Sequence, residues 1–186
     1  MVVVPFIDMS AIFGSDASVR GPATHQVFVT GPVEAGARER LDGMLRQELS
    51  RWQVLNWDTA AIDSNALPAE AITQHEAHLR ALRDVGVAGG GEVVLAGYLY
   101  TFEDRRGGDY GVESPASIAF ELVLIQVSTG QLIWRKRYDE QQQPLSNNLM
   151  AIGRFFKRKG RWVAALEMAR QAIDEMMPQL RNALPY

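Results

Sequence analysis

The segment Glu92–Glu103 does most to limit what this chain can fold into. Val93, Leu95 and Leu99 fall on one side of an extended chain, and Val94, Ala96, Tyr98 and Tyr100 on the other. A strand that is apolar on both faces belongs inside a sheet with layers packed above and below it. Gly97 at its centre leaves space for close packing. Downstream, Ser117–Val127 and Leu132–Asp139 read as a hairpin turning through Ser128-Thr129-Gly130-Gln131, with Gly130 suited to a positive φ. Residues 2–7 form a short β-branched run, and Pro5, lacking an N–H, must sit near its end or at a bulge.

Between these strands the periodicity turns helical. Ala37, Leu41, Met44, Leu45, Leu49 and Trp52 recur at three and four, which predicts a helix over residues 33–51. Gln53–Asp58 reads as a strand. A further helix is capped by Ser64 or Asn65, carries Pro68 in its first turn, runs through Ile72, Leu79 and Leu82, and stops at Gly86 as a left-handed cap. Gly89-Gly90-Gly91 is then a flexible turn. Leu149–Phe156 looks helical, and Trp162, Leu166, Ala169, Ile173, Met176 and Leu180 mark a C-terminal helix of about five turns. The order β-α-β-α-β-β-β-α gives an α/β fold with a mixed sheet, parallel in part. One domain spans 1–186, with the helical region at about 147–181 packed on the sheet.

Two long stretches stay irregular. From Asp8 to about Pro32 only Val27–Thr30 can pair as a strand, and residues 104–115 read as a loop. Long loops in compact domains are disproportionately functional.

Composition excludes several chemistries. The 186 residues contain no cysteine, which removes disulfides, thiolate nucleophiles, iron–sulfur clusters and cysteine zinc sites. No apolar run is long enough for a transmembrane helix. The net charge of −3 hides a split: Gln131–Arg161 holds eight Lys/Arg against two Asp/Glu, a local +6, leaving −9 elsewhere. Within that segment Arg135 and Arg137 face one side of a strand and Lys136 the other, while Arg154, Lys157, Arg158, Lys159 and Arg161 surround Phe155, Phe156 and Trp162. Such interleaving suits an anionic membrane surface or nucleic acid, or simply a solvated connection whose aromatics enter the core.

No catalytic or metal constellation stands out. His75 and His78 lie three apart on one helix, without the spacing of a metalloprotease motif, and read as a polar, solvated helix face. His25 sits alone in the first loop. Asp8, Asp58, Asp104, Asp109 and Glu113 fall at strand ends or in loops. Asp8 and Asp58 could converge as an acid–base pair, although strand-end aspartates more often bind their own backbone. No Gly-x-Ser-x-Gly elbow or phosphate loop is present, so no cofactor is expected.

Three segments together carry a resemblance. Val3-Val4-Pro5-Phe6 is similar to the first strand of TolB amino-terminal-type domains, and Gly91–Tyr98 to their central strand. Ala119–Trp134, with Thr129-Gly130-Gln131 at its turn, looks like the strand pair that follows. The curli-secretion channel lipoprotein and lipoprotein activators of penicillin-binding proteins share the arrangement. The resemblance implies a two- or three-layer domain of a bacterial envelope lipoprotein, periplasmic and outer-membrane anchored, working by protein–protein contact without catalytic residues. This sequence lacks the lipid-bearing cysteine, which fits a trimmed form; Met1 opens directly into strand residues, from which a mature or trimmed chain with its upstream segment removed is expected. It also lacks membrane-spanning hairpins, so a pore is not implied. The segment Asp139–Asn148, leading into the basic, aromatic-rich region, is a further departure.

The expected function is therefore non-catalytic binding or assembly in the envelope, through an envelope protein or cell-wall component. The expected contacts are the first loop and Arg105, Arg106, Asp109, Tyr110, Arg154, Lys157 and Arg158. The rivals are a small hydrolase or ligand-binding enzyme using the strand-end carboxylates, and, less favoured, nucleic-acid binding through residues 135–161.

Overall fold

The computed structural model describes residues 1–52, 69–104, 106–108, 111–141 and 164–185. Its sheet has the order β1 (Val2–Val3), β5 (Val93–Glu103), β8 (Ser117–Gln126), β9 (Leu132–Gln141), with β2 (Ile7–Asp8) also pairing β5. Strands β1 and β2 run parallel to β5. Strands β8 and β9 continue antiparallel. The sheet is thus mixed, as the element order predicts, and β5 is buried along nearly its whole length.

Both faces are covered. On one, helices α2 (Ala37–Ser50) and α5 (Ala165–Ala183) pack Leu41, Leu45, Met168 and Ile173 onto Leu95, Leu99, Phe120 and Leu122. On the other, α4 (His75–Ala88) brings Leu82, and residues from the first loop bring Val19 and Phe28, onto Val94, Tyr98, Tyr100 and Val123. Tyr100 is an extra residue in β5, because Leu99 pairs Phe120 while Thr101 pairs Ala119. This bulge reverses the alternation, so Phe102 packs with the α2/α5 core instead of following Tyr98 and Tyr100.

Several elements differ from expectation. The first strand is two pieces: Val4-Pro5-Phe6 spans the distance that Ala96-Gly97 spans on β5, so Pro5 sits at a bulge. The freed Phe6 N–H donates to Asp42 Oδ1 on α2 at 2.8 Å. The helix expected to end at Gly86 is divided, α3 (Ala69–Ile72) then α4, and α4 runs on to Ala88. Gly86 is a packing residue there: a Cβ would lie 2.4 Å from Val127 Cγ2 and 2.6 Å from Val94 Cγ2. The left-handed cap is Gly90, φ 63°, inside the glycine run. Gly91 N–H donates to Gly86 O and Gly90 N–H to Val87 O, the paired bonds that close a helix C-terminus, so the run is an ordered cap and not a flexible turn. Gly90→Ala should cost about 1 kcal/mol, the penalty for a Cβ in that backbone region, read from the denaturation midpoint.

Residues 8–32 hold more structure than one strand. Helix α1 (Met9–Phe13) follows β2 directly, and β3 (Ser18–Arg20) pairs antiparallel with β4 (Val27–Val29). β4 is the strand expected at Val27–Thr30, whereas α1 and β3 are too short for periodicity to mark them. The 104–115 stretch likewise contains a hairpin, β6 (Arg106–Gly108) with β7 (Gly111–Ser114). The predicted strand Gln53–Asp58, the caps Ser64 and Asn65, the helix Leu149–Phe156 and Trp162 lie outside the described residues.

Candidate functional site

The most distinctive site lies beneath the first loop, and a single carboxylate organises it. Alternation along β8 sends Phe120 and Leu122 to the α2/α5 core, and Glu121 to the opposite face. There Glu121 stands between Tyr98 of β5 and Arg137 of β9 in register. It is almost wholly buried. Tyr100 hydroxyl donates to Oε1 at 2.6 Å, and Thr24 hydroxyl donates to Oε2 at 2.7 Å. Burial pushes the Glu121 carboxyl above its usual range, against the opposing pull of these hydroxyls and of Arg137 and Arg135. Burial, reinforced by Glu121, also raises the Tyr100 phenol.

Residues 15–30 form a strap held over this carboxyl. Gly21 lies directly above it, and a Cβ there would be 2.3 Å from Glu121 Oε1. Phe28 stacks on Tyr100 with ring centroids 3.8 Å apart and planes 4° from parallel. The Arg137 guanidinium sits 4.2 Å from the Phe28 ring centroid, donates to Val27 O at 2.9 Å, and pairs with Asp139. Arg135 reaches Thr24 O at 3.5 Å. Arg135 and Arg137 do share a face, with Lys136 turned to Gln179 on α5. They are not free surface cations, however, because strap carbonyls take them up.

The histidines extend this layer. His75 Nδ1 donates to Pro22 O at 2.9 Å, and its ring lies 4.0 Å from that of His25, which has φ 58°. His78 corrects the expectation of a solvated helix face: it is fully buried and hydrogen-bonded through Nε2 to the Tyr98 hydroxyl. Its Nδ1 has no partner among the described residues. Burial, with a smaller contribution from His75, lowers its pKa to about 4, so the ring is neutral near neutral pH. Among the described residues no three His, Asp or Glu side chains come together as a metal-ligand set.

The outer side of the strap is different in kind. Val27 and Val29 are 49% and 61% exposed, beside exposed Ser18 and Arg20 on the same face of the β3–β4 pair. Ile12 and Phe13 at the end of α1 are 38% and 36% exposed. Hydrogen bonds from Thr30 to Gly14 O and from Asp16 N–H to Thr30 O tie the end of α1 to the end of β4. Four of the five large exposed hydrophobics among the described residues therefore belong to this one region, the fifth being Val87.

Of the residues expected to make contacts, Arg106 lies in β6, and Arg105, Asp109, Tyr110, Arg154, Lys157 and Arg158 lie outside the described residues. Asp8 caps α1 by accepting from Ala11 N–H at 2.9 Å, which is the backbone-binding role, and Asp58 is outside the described residues. Asp104 accepts from Ala165 N–H at 3.0 Å, at the start of α5. Glu121 and Thr24 were not singled out from sequence, Tyr100 was placed only on an apolar face of the central strand, and His78 only on a solvated helix face. The available signal was one charged residue inside Ile118-Ala119-Phe120-Glu121-Leu122-Val123-Leu124-Ile125.

No family model and no curated protein matches the chain. Solved structures do. The hypothetical protein CT253 from Chlamydia trachomatis aligns over 98% of this chain and 95% of its own, at 9% identity and a TM-score of 0.51, a likeness of fold. Lipoprotein GNA1162 from Neisseria meningitidis covers 85% of this chain and 92% of its own, at 11% identity and TM-score 0.45. The PelC dodecamer from Paraburkholderia phytofirmans covers 95% and 82%, at 12% identity and TM-score 0.44.

Proposed function

We propose that this chain is a non-catalytic binding or assembly module of a bacterial envelope lipoprotein of the TolB amino-terminal-like kind, placed in the periplasm by a lipidated segment upstream. Its partner is another protein, contacted through the outer face of the strap. One observation carries this reading: the strap is clamped from within by Glu121, Arg137 and the Phe28–Tyr100 stack, while outwardly it exposes Val27 and Val29. A preorganised apolar face loses little freedom when a partner orders against it. Loops fixed on a rigid sheet are a usual place for such contacts.

A photo-crosslinking residue at Val29 tests the proposal in cells expressing the protein with its native upstream sequence. A discrete adduct with an envelope protein is expected, and none from Val87, which is 62% exposed. Val29→Asp should weaken binding of that partner at least about tenfold, as loss of a buried apolar contact plus desolvation of a charge implies, with an unchanged melting midpoint. Equal adducts from both positions, or none from Val29, would count against the strap. Hydrolytic turnover by the purified domain, abolished by Asp8→Ala, would count against a non-catalytic role.

A further inference from the structure

We infer that the strap, residues 15–30, is a proton-controlled latch: it lifts from the sheet as a unit, and the ionisation of Glu121 beneath it sets how readily it lifts. The geometry supplies each part of such a device. Gly14 has φ 84° with nothing within 4 Å of a Cβ position, so the backbone is free at one end, while at the other Gly31 is fixed to β5 by its N–H on Tyr100 O and by packing against Thr101, which makes that end the anchor about which the segment lifts. Between them the strap covers Glu121 through Gly21 and hydrogen-bonds it through Thr24. Strands β3 and β4 pair over three residues only, and a hairpin that short does not persist once it leaves the sheet.

The direction follows from where the carboxyl sits. Closed, the strap removes Glu121 from water, and burial favours the neutral acid. Lifted, the strap admits water and the carboxyl returns to ordinary behaviour. Ionisation therefore favours the lifted form, and rising pH loosens the latch. The other groups around Glu121 modulate the window. Tyr98 and Tyr100 face it from β5, Arg135 and Arg137 from β9, and Thr24 from the strap with His25 next in sequence. From α4, His78 reaches it through Tyr98, and His75 holds the strap at Pro22. The Tyr100 and Thr24 hydroxyls, and after them the Arg137 and Arg135 cations, narrow the window by stabilising the carboxylate in the closed form. The closed form is the one that presents Val27 and Val29, so a partner contact there would be firmer on the acid side.

Amide hydrogen exchange on the whole chain, from about pH 5 to about pH 8 and corrected for intrinsic rates, tests this without any partner. Its failure is therefore separate from failure of the binding proposal. The reporters are the N–H groups of Ala17, Gly21 and Thr30, whose bonds lie within the strap and open once its three-residue strand pair, off the sheet, comes apart. Their protection should fall by up to about tenfold per pH unit over part of the range, the slope for one ionisation. Amides of β5, such as those of Val94 and Leu99, should not follow. In Glu121→Gln, which keeps the shape and cannot ionise, strap protection should be independent of pH. A flat wild-type profile, the same slope in the glutamine variant, or β5 falling in step with the strap would each overturn the latch. The wild-type profile alone decides the matter if the variant does not fold.

Discussion

Replacing Gly97 with valine should destabilise the protein by at least about 3 kcal/mol, the upper part of the range for overpacking a filled core. Gly97 lies mid-strand in β5, and a Cβ there would stand 2.6 Å from Cδ1 and Cε1 of Phe6. Neither side can yield easily. Phe6 is fully buried, meets Phe120 edge-on at 5.9 Å, and is tied by its own N–H to Asp42. β5 itself is held by β1 and β2 on one side and β8 on the other. Urea unfolding gives the measurement. Phe6→Ala alone should cost about 3–5 kcal/mol through the cavity it leaves. The double variant should lose less than the sum of the two, by about 1–3 kcal/mol, because the valine enters the space the ring vacates. Strict additivity would mean that the ring does not occupy the space beside Gly97.

Acid should weaken the fold through His78, by about 2–3 kcal/mol between about pH 7.5 and about pH 4.5 from this group alone. The sign follows from the lowered pKa. Unfolded, the imidazole binds a proton near its ordinary value of 6.5; folded, it does so only near about 4. Between those values the unfolded chain holds the extra proton, so stability is complete above the unfolded value and is lost as pH falls towards the folded one. Glu121 and Asp42 act in the opposite sense, since burial raises both carboxyls and the fold holds their protons more tightly. The total pH dependence therefore mixes signs, and a difference measurement isolates the histidine. His78→Gln keeps a hydrogen-bonding group for the Tyr98 hydroxyl without a titrating ring. Its stability, from urea titrations across that range, should decline less towards acid than wild type by roughly the same amount. Parallel curves for the two proteins would show that His78 is hydrated in the folded state.

The central strand was legible before any coordinates because its signal is redundant: apolar residues on both faces leave only the interior of a sheet. The hairpin Ser117–Gln141 was legible for a related reason, two β-rich runs around a glycine turn, and Gly130 does take φ 71°. Helices α2 and α5 each repeat their apolar stripe over several turns. Elements of three to five residues, α1, β3, β6 and β7, carry too few positions for any period to show. Gly86 illustrates a subtler limit. A glycine near a helix end suits a left-handed cap, yet here its lack of a Cβ lets α4 approach Val94 and Val127, while Gly90 makes the cap.

What the amino-acid order determined by itself was the set of long elements and which face each one buries, since alternation and helical period are local properties of the chain. That order also carried Arg135 and Arg137 to one side of β9 and Lys136 to the other. Which residues form the site was decided only when distant segments met: Thr24 and Glu121 are 97 positions apart, and Arg137 lies 110 beyond Val27. A glutamate inside an apolar strand is a contradiction in one dimension. In three it is resolved by a strap whose hydroxyl reaches the carboxyl, with Gly21 leaving the space for it. Desolvation and hydrogen bonding depend on what surrounds a group in space, and sequence alone leaves those surroundings open.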